Sequence, residues 1–292
     1  MIYDIRLTIT HRYDQPAANS RHLIRVLPKT IPGRQRVTTH TLKIYPDPST
    51  LSTRADFFGT SATSCAHMAS HSEMAIQLNS RVEMSADSLW QDRSESITKV
   101  CAQWQDSTDL GAGSPVHFLG PTFRLSPVAA ITSFALVTCD PAQSAAQNVI
   151  RIGQALHDMM IFDGQATTVD TNAAEAFAMK RGVCQDFSHI MILALQALGI
   201  PAAYVSGYLR TLPPAGGVKL AGADAMHAWV RAWCGAAQGW IEYDPTNATL
   251  AGSDHIVVGY GRDYFDVAPV SGHLRSSGGQ TNTQAVDVSV VG

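Results

Sequence analysis

The first third of the chain alternates short apolar runs with polar breaks. Residues 3–13, 21–28, 36–46 and 72–84 are rich in Val, Ile, Thr and Tyr, and Pro, Gly, Asp and Ser separate them. Runs of β-branched and aromatic residues bounded by turn residues predict β-strands. Several short strands at this spacing favour an antiparallel, sandwich-like β-rich region.

From residue 141 the apolar positions follow a helical period instead. Residues 141–160 form an amphipathic helical pattern, and residues 172–180 form a shorter one that begins with a capping box of Asn172 and Glu175. A third helix is predicted over 184–198, where apolar side chains recur at i, i+3, i+4 and i+7 and a glycine follows the last one.

After the third helix the pattern returns to strands. Residues 202–211, 227–234 and 239–245 are predicted strands, and a Pro- and Gly-rich loop over 212–224 separates the first two. Residues 85–127 give an ambiguous pattern that includes a possible helix.

The chain of 292 residues is long enough for two domains, and its content of 45% hydrophobic and 15% charged residues is typical of a globular protein. We predict an α+β protein with a β-rich N-terminal domain over residues 1–130 and a core over residues 131–292, in which the third helix packs on an antiparallel sheet. The formal net charge of −3 gives no indication of nucleic-acid binding or of a basic membrane-binding surface.

The N-terminus shows no basic segment followed by an apolar one, and no apolar run approaches the ~18 residues that span a bilayer. We therefore expect a cytoplasmic protein. The five cysteines are odd in number, widely spaced and without a C-x-x-C pair, which favours reduced thiols over a disulfide framework.

Cys184 stands at the start of the third predicted helix, just behind a glycine. The plain interpretation is a small buried apolar side chain. The alternative is a nucleophile, because the positive end of a helix dipole favours the thiolate form. A thiolate nucleophile needs a histidine to carry its proton and an acceptor to orient that histidine. His227 and Asp244, on the next strands, supply these two groups in order.

The pairing of the last two predicted strands decides whether His227 and Asp244 meet. A two-residue turn at 235–236 would set them directly opposite each other, whereas a five-residue loop would set Asp244 against Val230, on the other face. The mechanism therefore predicts the first register, or a bulge.

Three blocks, "RGVCQDFSHIMILALQALGIPAAYVSGY", "HAWVRAW" and "GWIEYDPTN", resemble the transglutaminase-like superfamily, and more narrowly its bacterial cysteine peptidases. "HRYDQPAANSRHLIRVLP" is similar to the β-rich N-terminal domain of that family, so the resemblance covers nearly the whole chain. It implies a papain-like core and a triad of Cys184, His227 and Asp244. It also implies a peptide or protein substrate, and neither a metal nor an organic cofactor.

Acyl transfer also needs an oxyanion hole. We expect the backbone N–H of Cys184 to be one donor and Gln185 to supply the second. Trp229 shares a predicted strand face with His227 and is a candidate wall of the substrate groove.

The segment from Cys65 to Glu73 contains His67 and His71, which are metal-ligating residue types. The pattern there predicts strand or loop, and the glutamate of an H-E-x-x-H motif is missing, so no metal site is expected.

Three functions follow. We favour hydrolysis of an amide or peptide bond through a thioester. Transfer of the acyl group to an amine is the first alternative, and a protein-binding module with a vestigial core is the second.

Overall fold

The computed structural model describes residues 1–86, 90–211 and 224–291. The strands are β1 (Ile2–Ile24), β2 (Gln35–Tyr45), β3 (Thr50–Ala55), β4 (Ser61–His67), β5 (His71–Met84), β6 (Ile161–Phe162), β7 (Arg181–Gly182), β8 (Ala202–Leu209), β9 (Ala225–Trp233), β10 (Trp240–Asp244), β11 (Thr249–Leu250), β12 (His255–Gly261), β13 (Val270–Arg275) and β14 (Gln280–Val291). The helices are α1 (Ile97–Gln105), α2 (Ala129–Thr138), α3 (Ala145–Met159), α4 (Ala173–Met179), α5 (Cys184–Ala197) and α6 (Tyr264–Val267), and a 3₁₀ turn spans Pro115–Phe118.

The N-terminal region is built around β1, which is long enough to serve two groups of strands. Its first half pairs with β5 and β14, and its second half, beyond a register shift, pairs with β4 and β13. All these pairs are antiparallel, and β2 and β3 lie at the edges. Alternate side chains of β1 fill the core, among them Tyr3, Ile5, Leu7 and Ile9. The predicted β-rich, sandwich-like region is confirmed.

The C-terminal strands return to this N-terminal sheet. β14 pairs along the first half of β1 from Val291 opposite Ile2 to Gln280 opposite Tyr13. β13 and β14 thus pair with a strand of the N-terminal region, although they follow the core in the chain. The division into residues 1–130 and 131–292 stays a prediction. The physical reason for this pairing is that β1 presents two edges, and the C-terminal strands satisfy the backbone groups of one of them.

The core is a five-stranded antiparallel sheet in the order β11-β10-β9-β8-β12. Helix α5 lies against β8 and β9, and α2, α3 and α4 surround it. Because these helices and the sheet enclose α5, nearly all of its side chains are buried, not only those of the predicted apolar stripe. The buried residues include Phe187, Ile190, Met191, Ala194 and Leu195. The predicted packing of this helix on an antiparallel sheet is confirmed.

Local signals place the helix ends. The capping box of α4 forms as predicted, with Asn172 accepting from the N–H of Glu175 at 3.0 Å and Glu175 accepting from the N–H of Asn172 at 3.3 Å. Helix α5 ends before Gly199, whose φ of +78° favours glycine. The predicted loop over 212–224 falls outside the described residues except at its last position. Among the helices described, none has the length and apolar character to cross a membrane.

Candidate functional site

Helix α5 places Cys184 at its first position, with a half-buried thiol. The carboxylate of Asp186 accepts from the N–H of Val183 at 2.8 Å and from the hydroxyl of Thr167 at 2.7 Å, which holds the first turn in place. Burial raises the pKa of Asp186, and these two hydrogen bonds oppose the rise. A Cβ at Gly182 would lie 2.5 Å from the Asp186 carboxylate, so the chain that enters this turn needs glycine.

The ring of His227, on β9, lies between the thiol and a carboxylate. Its Nε2 is 2.8 Å from Oδ2 of Asp244, and Cys184 lies close enough to the ring to affect its ionisation. Burial alone would lower the pKa of His227, but the interactions with Asp244 and Cys184 outweigh burial and raise the pKa to about 10. The arrangement therefore favours an imidazolium beside the sulfur.

Asp244 is fully buried and is surrounded by hydrogen-bond donors. Oδ2 faces Nε2 of His227, Nδ2 of Asn247 at 2.7 Å and Nε2 of His255 at 3.1 Å. Oδ1 accepts from the N–H groups of Thr246 at 2.9 Å and Asn247 at 3.2 Å. Burial alone would raise the pKa of Asp244, but these bonds, that from His227 foremost, hold it far below the usual range. The buried carboxylate thus keeps the negative charge that an imidazolium needs.

The register between β9 and β10 differs from both alternatives derived from the sequence. Trp240 pairs with Trp233 and Tyr243 with Val230, so the position opposite Asp244 is that of Trp229. The prediction that His227 must stand directly opposite Asp244, or be displaced by a bulge, is wrong. His227 reaches Asp244 diagonally, because residues two apart on one strand share a face and lie within reach of a partner's long side chain.

Two residues of the site were missed by sequence reasoning. Asn247 follows Asp244 by three positions in an Asp-Pro-Thr-Asn turn, and an Asx turn there is a signal that could have found it. His255 carries no such signal, because it begins β12, on the far side of β8 and β9 from Asp244 in the sheet order. Its Nδ1 accepts from the N–H of Gly252 at 3.3 Å, so its Nε2 carries the proton that points to Asp244.

Trp229 lies behind His227 rather than at the surface. The two rings stack with centroids 6.2 Å apart, and Trp229 is fully buried, so it does not form an exposed groove wall as expected. Its Nε1 donates to Glu242 at 2.7 Å, and Arg34 binds the same carboxylate with two bonds of 2.6 and 2.9 Å. Burial alone would raise the pKa of Glu242, but Arg34 holds it below its usual range. The N-terminal region thus supports the strand that carries His227.

The expected oxyanion donors occupy the first two positions of α5. Backbone N–H groups at the start of a helix have no intrahelical acceptor, so those of Cys184 and Gln185 are available to a ligand at this helix end. The side chain of Gln185 is buried and donates to the carbonyl of Val169 at 3.2 Å. The role of both groups as oxyanion donors stays a prediction.

A group of side chains that could bind a metal lies outside the candidate active site. His22, Cys65 and His67, in the N-terminal sheet, have one ligand atom each within 4.8 Å of the others.

Sequence-family comparison agrees with this architecture. Residues 133–245 match the transglutaminase-like superfamily core, and residues 3–83 match the bacterial transglutaminase-like N-terminal region. The first match spans all three of Cys184, His227 and Asp244, and the second covers most of the N-terminal sheet. The chain belongs to the transglutaminase-like superfamily.

Similar proteins occur in other bacteria. An uncharacterized protein of Mycobacterium leprae is 30% identical over 290 residues, covering 96% of this chain and 97% of its own length. One from Mycobacterium tuberculosis is 31% identical over 264 residues, covering 88% and 82%. A crystal structure from Cytophaga hutchinsonii, of a protein described provisionally as a cysteine protease, superposes with a TM-score of 0.76 at 20% identity and covers 99% of this chain and 90% of its own. That likeness supports the fold.

Proposed function

We propose that the protein is a cysteine-nucleophile acyl-transfer enzyme that acts on amide or peptide bonds through a thioester. The observation that carries the proposal is the hydrogen bond of His227 to the buried Asp244, with Cys184 interacting with the same imidazole. Membership of a cysteine-based enzyme family supports it. A vestigial binding module has no need of five donors around one buried carboxylate, since each must be desolvated and aligned.

In the proposed reaction the thiolate of Cys184 attacks the carbonyl carbon of the substrate, and a C–S bond forms. The negative charge moves to the carbonyl oxygen, which the N–H groups of Cys184 and Gln185 stabilise. His227 gives its proton to the leaving amine as the C–N bond breaks, and the acyl group remains as a thioester. Asp244 stabilises the imidazolium and holds the ring so that Nδ1 faces the sulfur.

The acceptor that resolves the thioester distinguishes hydrolysis from transfer. His227 takes a proton from water, and the resulting attack releases a carboxylic acid and restores the thiol. If an amine attacks instead, the product is a new amide. We favour hydrolysis, by analogy with the family and because the half-buried thiol leaves the sulfur within reach of water. The substrate is proposed to be a peptide or protein.

The first test is alkylation by limiting iodoacetamide at pH 6, followed by intact-mass measurement and mapping of the adduct. Wild type is compared with Cys184→Ala and His227→Ala. We expect one fast adduct on Cys184, none at that rate in Cys184→Ala, and a slower reaction in His227→Ala. The remaining four cysteines act as internal controls for ordinary thiol reactivity. If Cys184 reacts no faster than they do, the proposed activation of the thiol is refuted.

A second test separates the two acceptors. A peptide library and a glutamine-containing protein are incubated with the enzyme, with and without an excess of a labelled primary amine. Release of new termini or ammonia without label supports hydrolysis, and label incorporation that depends on Cys184 supports transfer.

A further inference from the structure

A second group of reactive side chains lies in the N-terminal sheet and plays no part in the proposed reaction. β1 and β4 pair antiparallel, with His22 directly opposite Cys65 and Ser20 opposite His67. Residues two apart on a strand share a face, so His22, Cys65 and His67 project from the same side of the sheet. Their ligand atoms lie within 4.8 Å of one another.

His71 adds a fourth side chain to this group. The short turn between β4 and β5 brings it beside His67, and the two ring centroids are 4.9 Å apart. Nδ1 of His71 donates to the carbonyl of Ala69 at 3.1 Å, which leaves the lone pair on Nε2. A histidine whose second nitrogen donates to a backbone carbonyl has the tautomer and orientation of a metal ligand.

His67 is held in the same way. Its Nε2 donates to the carbonyl of Pro46 at 2.8 Å, so its lone pair is on Nδ1, which lies 3.5 Å from the hydroxyl of Ser20. At 3.5 Å that contact is at the limit of a hydrogen bond and is easily replaced by a stronger partner.

Two polar atoms of the group are buried without a partner among the described residues. They are Nδ1 of His22, a residue that is 9% exposed, and Nε2 of His71. Buried polar atoms without partners are uncommon and unfavourable, and an absent ion is one of their standard explanations.

We propose that Cys65, His22, His67 and His71 bind one zinc ion that ties β1, β4 and β5 together. One thiolate and three neutral imidazoles form a four-ligand set that suits Zn²⁺ and leaves no open position, which is typical of a structural site. On binding, the Cys65 thiol loses its proton to solvent and an S–Zn bond forms. Zn–S and Zn–N bonds of ~2.3 and ~2.0 Å place tetrahedral ligands roughly 3.3–3.8 Å apart. The ligand atoms of His22, Cys65 and His67, which lie within 4.8 Å of one another, need to close by about 1 Å, and the ring of His71, which stands outside that group, needs to move toward them.

Three of the four ligands stand together in the segment from Cys65 to His71, but His22 is remote in the chain and only strand pairing brings it to Cys65.

The test uses the full chain, reduced and stripped of metal with a chelator. Zn²⁺ is titrated against a chromogenic chelator, and Co²⁺ is added separately because its thiolate charge-transfer absorption reports a sulfur ligand. We expect one Zn²⁺ per chain, a sulfur band with Co²⁺, and at least about 100-fold weaker binding in Cys65→Ser and His71→Gln, since loss of even an outer partner costs roughly 10–100-fold. Bound zinc should also raise the Tm of wild type.

Controls separate this site from the thiol and imidazole of the proposed active site. Cys139→Ser and the exposed His40→Gln should bind as wild type does, and Cys184→Ala should keep the zinc. The proposal is overturned by the absence of stoichiometric binding, by binding that survives Cys65→Ser, or by binding lost in Cys184→Ala. If Cys65→Ser does not fold, His71→Gln and the Co²⁺ spectrum of wild type decide, because a spectrum without a sulfur band excludes Cys65 as a ligand.

Discussion

Replacement of Asp244 by asparagine tests the proposed role of the carboxylate with almost no change of shape. The side chain is fully buried, and five donors face its two oxygens. In Asp244→Asn an NH₂ group, which is a hydrogen-bond donor, replaces one carboxylate oxygen. At least one of the donors around this side chain then faces another donor instead of an acceptor. The N–H groups of Thr246 and Asn247 cannot change, whereas imidazoles can change tautomer. The NH₂ group will therefore face His227.

His227 must then accept at Nε2 and carry its proton on Nδ1, toward Cys184. In that state it cannot take the thiol proton, and the charge that raises its pKa is gone. Loss of a hydrogen bond to a charged group costs about 1.5–3 kcal/mol, and the wrong tautomer adds to that cost. With ~1.4 kcal/mol for each factor of ten, we expect a loss of roughly 10²–10⁴ in rate. The same change in a Ser-His-Asp triad lowers kcat by ≈ 10⁴.

The assay is the second-order rate constant for alkylation of Cys184 between pH 5 and 9, by intact mass. The variant should be at least about 100-fold slower at pH 6 and approach wild type at high pH, where hydroxide ionises the thiol without help from His227. Thermal unfolding and equal alkylation in denaturant serve as controls. A folded Asp244→Asn that reacts within about threefold of wild type at pH 6 would refute the reasoning.

Three further predictions concern the surroundings of His227. His255→Phe removes one hydrogen-bond donor from Asp244 and should slow alkylation of Cys184 about 10-fold. His255→Gln keeps a donor at this position and should retain most of the wild-type rate. Equal rates in the two variants would argue against a positioning role for His255. A Cβ at Gly207 would collide with the carbonyl of Ile256 and with the ring of Trp229. Gly207→Ala should therefore cost about 1–3 kcal/mol of unfolding free energy and slow the alkylation of Cys184. Gly164→Ala is the control, because open space surrounds Gly164, and it should change neither quantity. Because the folded pKa of His227 is raised to about 10, its contribution to stability is complete below about pH 6.5 and is lost as pH rises through 10. In urea unfolding at pH 6, 8 and 10, the advantage of wild type over His227→Gln should shrink by up to about 1.4 kcal/mol per pH unit, and a difference independent of pH would contradict the assignment.

Local patterns were enough to predict most of the core. The helical period after residue 184, the glycine before it and the glycine at 199 place Cys184 at a helix start, because helices depend on interactions within a few residues. The capping box of Asn172 and Glu175 could be predicted because it too depends on residues close together in the chain. In the N-terminal region the β-character was clear. β3 was missed because its side chains are exposed and show no alternation, and β4 was recognised only at its end, as strand or loop from Cys65.

Contacts between distant strands could not be derived in this way. The diagonal approach of His227 to Asp244 depends on a register that the six residues between β9 and β10 set. The return of β14 to β1 and the bond from His255 to Asp244 join parts of the chain that carry no mutual signal. The sequence by itself therefore determined the candidate residues for the proposed chemistry and the local structure on which each stands. Only the tertiary structure decided which of them meet, because strand pairing depends on the whole sheet rather than on neighbours in the chain.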